Sequence, residues 1–211
     1  MLTVNGDRDV VERQLAGGEL ACPLCGGVLG GWGNAVTRLV RQLAGPDDVV
    51  RPRRSRCRVC KATHVLLPAR LLSRRADAGA VIGRALEAKA AGKAHQSIAL
   101  ALGRAASTVR GWLRALARNA GRVRERFTSL AACLVTDPPL PAPAGSPLAD
   151  AVAAVAAAAA AAVALPGVGA VARWELASAV TCGLLLAPSW PAWPGNAGRR
   201  LGGGTLSRDP R

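Results

Sequence analysis

Aromatic side chains are scarce: there is no tyrosine, one phenylalanine, and aromatics form 3% of the 211 residues. Large apolar side chains supply most of the energy of a core, whereas alanine buries little area. The alanine runs, 24 glycines and 14 prolines therefore argue against one large core. They predict small modules, at least one held by something other than a core. Acid is also scarce: 13 acidic residues oppose 28 basic ones, for a formal net charge of +15. Only Lys61, Lys89 and Lys93 are lysines. Arginine, alanine and glycine together are what a GC-rich genome writes, but that bias does not explain the excess of base over acid. An acidic partner does, nucleic acid ahead of an anionic membrane surface.

The excess is uneven. Residues 1–130 hold 23 basic and 9 acidic groups, net +14, and residues 131–211 hold 5 and 4, net +1. A polyanion is thus expected on the first part. The opening M-L-T-V-N-G-D-R-D-V-V-E places acids where an export signal has a basic and then an apolar run. The expected address is cytoplasmic, associated with the nucleoid. Disulfides are not expected there, so six cysteines need another role.

Cys22-Pro23-Leu24-Cys25 and Cys57-Arg58-Val59-Cys60 are two C-x-x-C pairs. Zn²⁺ takes four thiolates in a tetrahedron, and each C-x-x-C turn brings two sulfurs to one ion. Between them, A-V-T-R-L-V-R and V-V-R-P-R-R-S-R flank Gly45-Pro46-Asp47-Asp48 as a hairpin, and Thr63–Pro68 follows as a third strand. Knuckle, hairpin, knuckle, strand is the layout of a zinc ribbon holding a structural Zn²⁺ on Cys22, Cys25, Cys57 and Cys60. The competing reading is a redox pair of the C-P-x-C kind, which requires a βαβ unit that the pattern lacks. A Zn(Cys)₄ centre has net charge −2, so Arg56, Arg58 and Lys61 are expected to offset it. His64 reads as an ordinary strand residue, and Cys133 and Cys182 as small buried ones.

Residues 95–114, H-Q-S-I-A-L-A-L-G-R-A-A-S-T-V-R-G-W-L-R, fit a helix-turn-helix. Ile98 and Leu102 face inward, Ala99 permits a close crossing, and Gly103 takes a positive φ at the turn. Val109, Trp112, Leu113 and Leu116 pack the second helix. A supporting helix over 76–91 presents Ala80, Ile82, Ala85 and Leu86 inward. The alternative is a helical hairpin with a solvated basic face. In the DNA-binding reading, Ser107, Thr108, Arg110, Gly111 and Arg114 line the outer face, with Arg104 at the turn. Whether Arg110 and Arg114 meet bases or phosphates stays open. Arg51, Arg53 and Arg54, in the stretch 51–61, form a second expected contact with double-stranded DNA.

The runs C-P-L-C-G-G-V-L-G-G-W-G, R-P-R-R-S-R-C-R-V-C-K-A-T-H-V-L-L-P and S-I-A-L-A-L-G-R-A-A-S-T-V-R-G-W-L-R resemble an actinobacterial family of short proteins, catalogued as a domain of unknown function with an attached helix-turn-helix. The resemblance spans roughly residues 8–118. The layout is also similar to the front end of some insertion-sequence transposases. The resemblance implies DNA binding, with mobile elements as one setting, and no established activity. Lys93-Ala94 departs from the glycine-rich turn of that pattern.

Past residue 130 the acids are Asp137, Asp150, Glu175 and Asp209. They do not assemble the carboxylates that a two-metal strand-transfer site needs. A catalytic core is not expected. A transcriptional regulator is, with an accessory or fragment of a recombination system as the alternative. Ala151–Ala164 holds 11 Ala and 3 Val, too little insertion energy for a membrane span. That helix, capped by Ser146-Pro147, is expected to pack on a helix over 172–187 through Trp174, Leu176, Val180, Leu184 and Leu185. A homodimer through this pair is a further expectation. The expected fold is mainly α with a small β zinc ribbon. It runs as an N-terminal helix (1–19), zinc ribbon (20–70), helix-turn-helix domain (76–126), Pro-rich linker (127–147), Ala-rich helical pair (148–187) and disordered tail (188–211).

Overall fold

The computed structural model describes residues 1–138, 141–167 and 169–188. The expected tail therefore lies, from residue 189 on, outside the described residues. The chain opens with β1 (Leu2–Val4) and α1 (Arg8–Ala16). Asp7 caps α1 by accepting from the Asp9 backbone N–H. β2 (Leu29–Asn34), β3 (Arg38–Val40), β4 (Asp48–Val50), β5 (Arg53–Cys57) and β6 (Thr63–Pro68) follow. The helices α2 (Gly79–Ala90), α3 (His95–Leu102), α4 (Ala106–Leu134), α5 (Pro147–Val163) and α6 (Arg173–Val180) complete the order.

The strands form two sheets. One has the order β1-β6-β5-β2, antiparallel except for the parallel β1–β6 pair, and β3 with β4 is a separate antiparallel ribbon. The expected single hairpin is thus two structures. Pro52 has no N–H to donate to a ladder, and it separates β4, paired with β3, from β5, paired with β2 and β6. β1 is unexpected from sequence; it adds to β6 with Leu2 opposite Leu66.

Two apolar clusters result. The smaller gathers Val4, Val11, Leu15, Leu29 and Leu66 with Cys22 and Cys57 beneath α1. The larger joins Val40, Val50, Leu67, Leu71 and Leu72 to the helices. Leu66 and Leu67 are neighbours on β6, and alternation sends one to each cluster.

α2, α3 and α4 pack on one another. Ile98, Ala99, Val109, Trp112, Leu113 and Leu116 are buried, as expected, and Leu102 is half-buried. Ala80 is exposed instead; Val81 takes the inward place beside Ile82, Ala85 and Leu86. Gly103 sits at φ 60°, ψ 39° and ends α3 in the left-handed conformation that glycine adopts at least cost.

The C-terminal part differs from expectation in three respects. α4 runs to Leu134, beyond 126, because Phe127 and Ala131 keep its buried stripe going. The alanine helix α5 lies chiefly along α4, and α6 is a lesser neighbour. Small side chains let the two backbones approach, so a long stripe of α4 supplies the bulk that alanine lacks. α6 stops at Val180, where Cys182 and Gly183 both take positive φ. Cys133 is exposed at the last turn of α4 and Cys182 is half-buried, so neither is a buried core residue. Ser146 caps α5 by accepting from the Ala149 N–H at 3.2 Å, with Pro147 in the first turn. Among the described residues, no helix is long and apolar enough to cross a membrane.

Candidate functional site

The four knuckle cysteines meet as their spacing predicts. The Sγ atoms of Cys22, Cys25, Cys57 and Cys60 all lie within 4.8 Å of one another. Cys22 and Cys60 are 3.7 Å apart, and Cys25 and Cys57 are 3.5 Å apart. A tetrahedron with metal–sulfur bonds of about 2.3 Å has edges of roughly 3.8 Å, so one ion fits between the sulfurs.

The two knuckles are built alike. The N–H of Leu24 donates to Cys22 Sγ and that of Val59 to Cys57 Sγ, at 3.5 and 3.4 Å. Cys22 N–H donates to Gly27 O, and Cys57 N–H to Ala62 O. Gly26 and Lys61 occupy the same place after the second cysteine, with φ 73° and 62°. For lysine that conformation costs about 1 kcal/mol or more. The turn holds because Lys61 Nζ donates to Arg58 O at 2.6 Å and Lys61 O accepts from Arg56 Nε at 3.2 Å. A Cβ on Gly27 would lie 2.7 Å from Val59 Cγ2 and 3.1 Å from Cys57 Sγ. Glycine there lets one knuckle close on the other.

Four thiols packed together cannot all ionise without a cation among them. Burial raises the Cys57 thiol, but the N–H groups of Cys60 and Val59 together with the thiols of Cys25 and Cys60 bring it down to about 6. At Cys60 the Ala62 N–H pulls downward, yet the Cys25 thiol, burial, and the Cys57 and Cys22 thiols push it up to about 12. A divalent ion removes this conflict by stabilising every thiolate at once.

His64 is more than an ordinary strand residue. Its ring Nε2 lies 3.3 Å from Cys22 Sγ, and it is buried. The four cysteines suffice for a tetrahedral shell, and His64 is placed to support one of them from outside it. Burial, then the amino-terminal charge, hold its pKa below the usual histidine range, which favours the neutral ring. Sequence showed only a histidine on a strand; the contact comes from register, which sets His64 opposite Ser55 two residues before Cys57.

The expected DNA-contact residues divide. On α4, Ser107, Arg110, Gly111 and Arg114 are exposed and Thr108 is half-exposed. Arg118 and Arg122 extend the same row, giving Arg110, Arg114, Arg118 and Arg122 at steps of four. None of the four forms an ion pair among the described residues. Arg51 is exposed and Arg54 half-exposed, likewise without an ion pair.

Arg104 and Arg53 are engaged inside the protein. Arg104 donates from Nε to Asp77 Oδ1 at 2.6 Å and from Nη2 to Gln42 O at 3.0 Å. Arg41 pairs with the other oxygen of Asp77 at 2.6 Å. This three-residue clamp ties β3 and its turn to the α3–α4 corner. Arg53 forms a two-pronged pair with Glu12 of α1 and donates to Gly33 O at 2.6 Å. Both guanidinium groups thus have partners within the protein, Arg104 on the buried carboxylate of Asp77 and Arg53 on the half-exposed carboxylate of Glu12.

No curated protein and no solved structure matches the chain. Residues 22–112, from the first metal-site cysteine through Trp112 on α4, match the family model described as Domain of unknown function (DUF6431).

Proposed function

We propose that the chain is a non-enzymatic DNA-binding protein, a transcriptional regulator that enters the major groove with the first turns of α4 and carries a structural zinc ion. The arginine row supports this reading best. Like charges at i,i+4 destabilise a helix by some tenths of a kcal/mol per pair, and three such pairs stand in succession here. A duplex presents one negative charge per roughly 1.7 Å of axis, which turns that cost into attraction.

In this reading α3, Gly103 and α4 form a helix-turn-helix on the support of α2. Ser107 and Thr108 approach phosphates at the start of α4, and Arg110 and Arg114 reach base edges. Arg118 and Arg122 follow the backbone. The zinc ribbon stiffens β5, which carries Arg54, and Arg51 lies just before it.

A fluorescence-anisotropy titration of duplex DNA across salt concentrations tests the reading. The expected log K falls linearly with log salt, with a slope near −0.9 per phosphate neutralised. A flat response overturns it. Selection from a random duplex pool should enrich one motif if bases are read.

A further inference from the structure

Trp32 is half exposed in a chain with few aromatics. The other described aromatics of this size, Trp112, Phe127 and Trp174, are all buried. The ring contact that Trp32 makes inside the fold is with a cation, Arg56.

Its surroundings show what it faces. Gly30 pairs with Arg56 across β2 and β5, so both project to the same side of the sheet. Strand alternation puts Arg54 on that side as well, while Arg53, Ser55 and Cys57 turn toward α1 and the metal site. The Arg56 guanidinium stacks on the Trp32 ring at 4.6 Å from its centroid. Arg58 crosses the bare backbone of Gly30, its Nε 3.6 Å from where a Cβ would stand. Trp32, Arg56, Arg58, Lys61 and the two glycines Gly30 and Gly31 line a shallow concavity of about 300 Å³ that includes no acidic side chain.

A ring with a stacked guanidinium, a flat glycine floor and further cations match an unpaired nucleobase with its phosphates. The base offers a π-face to the tryptophan and guanidinium planes, and the arginines and lysine meet the backbone charge. A paired base in a duplex keeps its faces inside the stack and has none to offer. An acidic peptide would satisfy the cations but leave the indole without a flat partner.

We propose that the outer face of the zinc ribbon binds a single-stranded nucleic-acid segment, stacking one unpaired base against Trp32 and Arg56 while Arg58 and Lys61 hold its phosphates. This site is on β2 and β5, apart from α4, and does not depend on the duplex-binding reading.

The test uses full-length, zinc-loaded protein and two labelled probes, a twelve-residue oligothymidylate and an abasic strand of the same length. The expected result is tighter binding of the thymine strand by about fivefold to a hundredfold. Trp32→Ala should abolish that preference, and Trp32→Phe should keep most of it. Arg110→Ala with Arg114→Ala should weaken a duplex probe and leave the preference intact. A circular-dichroism spectrum and zinc content of Trp32→Ala equal to those of the wild type exclude misfolding as the cause of its effect. Equal binding of the two strands by the wild type overturns the proposal, as does a preference that survives Trp32→Ala. Loss of duplex binding alone bears on α4 and not on this site.

Discussion

Arg104 donates from Nε to Asp77 Oδ1 at 2.6 Å, and Asp77 is only 2% exposed. The pair joins the corner between α3 and α4 to the segment before α2, and Arg41 brings the β3–β4 ribbon to the same carboxylate. Removing one partner of a buried ion pair leaves an uncompensated charge. Asp77→Ala should therefore destabilise the fold by about 3–5 kcal/mol in urea denaturation. A loss below about 1 kcal/mol would show that solvent reaches the pair.

Trp174 of α6 lies against the backbone of α2, and a Cβ on Gly83 would overlap its indole ring. The indole N–H donates to Glu87 Oε1 at 3.0 Å, which fixes the ring in place. Alanine favours a helix interior by about 1 kcal/mol over glycine. Overpacking here should outweigh it, so Gly83→Ala is expected to lower stability by roughly 1–3 kcal/mol. Trp174→Ala combined with it should restore the helix-propensity gain of the alanine. An additive double-mutant cycle would disprove the coupling.

Gly111 and Gly121 are the reverse case. Both are exposed interior residues of α4, and a Cβ at either meets nothing. Gly121→Ala should stabilise the protein by up to about 1 kcal/mol, read as a rise in Tm. Gly111→Ala should stabilise comparably while weakening duplex binding, because it lies between Arg110 and Arg114 on the proposed contact face. Unchanged duplex affinity would remove Gly111 from that face.

Each unpaired arginine on α4 should contribute separately to salt sensitivity. Arg118→Ala is expected to reduce the slope of log K against log salt by about 1 and to weaken all duplex sequences alike. Arg110→Ala should in addition relax preference at one base position, at a cost of about 1–3 kcal/mol for the preferred site. Identical losses on every sequence would reassign Arg110 to a phosphate.

One zinc ion per chain is the expected stoichiometry by mass spectrometry under native conditions. Cys25→Ser should lower it to near zero. Strong chelation should disorder the ribbon, since its cluster includes Cys22 and Cys57 beside only a handful of apolar side chains. The helical signal in circular dichroism should largely remain, because the helices rest on the larger cluster. A collapse of the whole helical signal on chelation would contradict this separation.

The metal site was legible because its information is local. C-x-x-C fixes two sulfurs within one turn, and the residue types needed between and after them are few. The α3–α4 corner was legible for the same reason: Ala99, Gly103 and Val109 act within a short window. What escaped was set by partners far along the chain. Arg104 looks free until Asp77 is placed beside it, and Arg53 until Glu12 is. The split of the expected hairpin at Pro52 was written in the sequence, but β2 as the alternative partner of β5 was not. The alanine helix showed its length and its Ser146 cap; its small faces gave no sign that α4 lies along it. A single exposed ring such as Trp32 has no periodic pattern in the sequence, and it meets Arg56 because β5 pairs that arginine with Gly30, two residues before the ring.

β6 gives its two linings to different tenants: one residue presses on the sulfur-bound half, and the next on the helical half. β1 alongside it does the same, with Val4 in the sulfur-bound half and Thr3 Oγ1 donating to Ser178 O of α6. If α4 grips paired DNA and the ribbon's outer face a loose end, as proposed, metal shortage would cost the aromatic shelf and its hold while the arginine-studded rod kept its own.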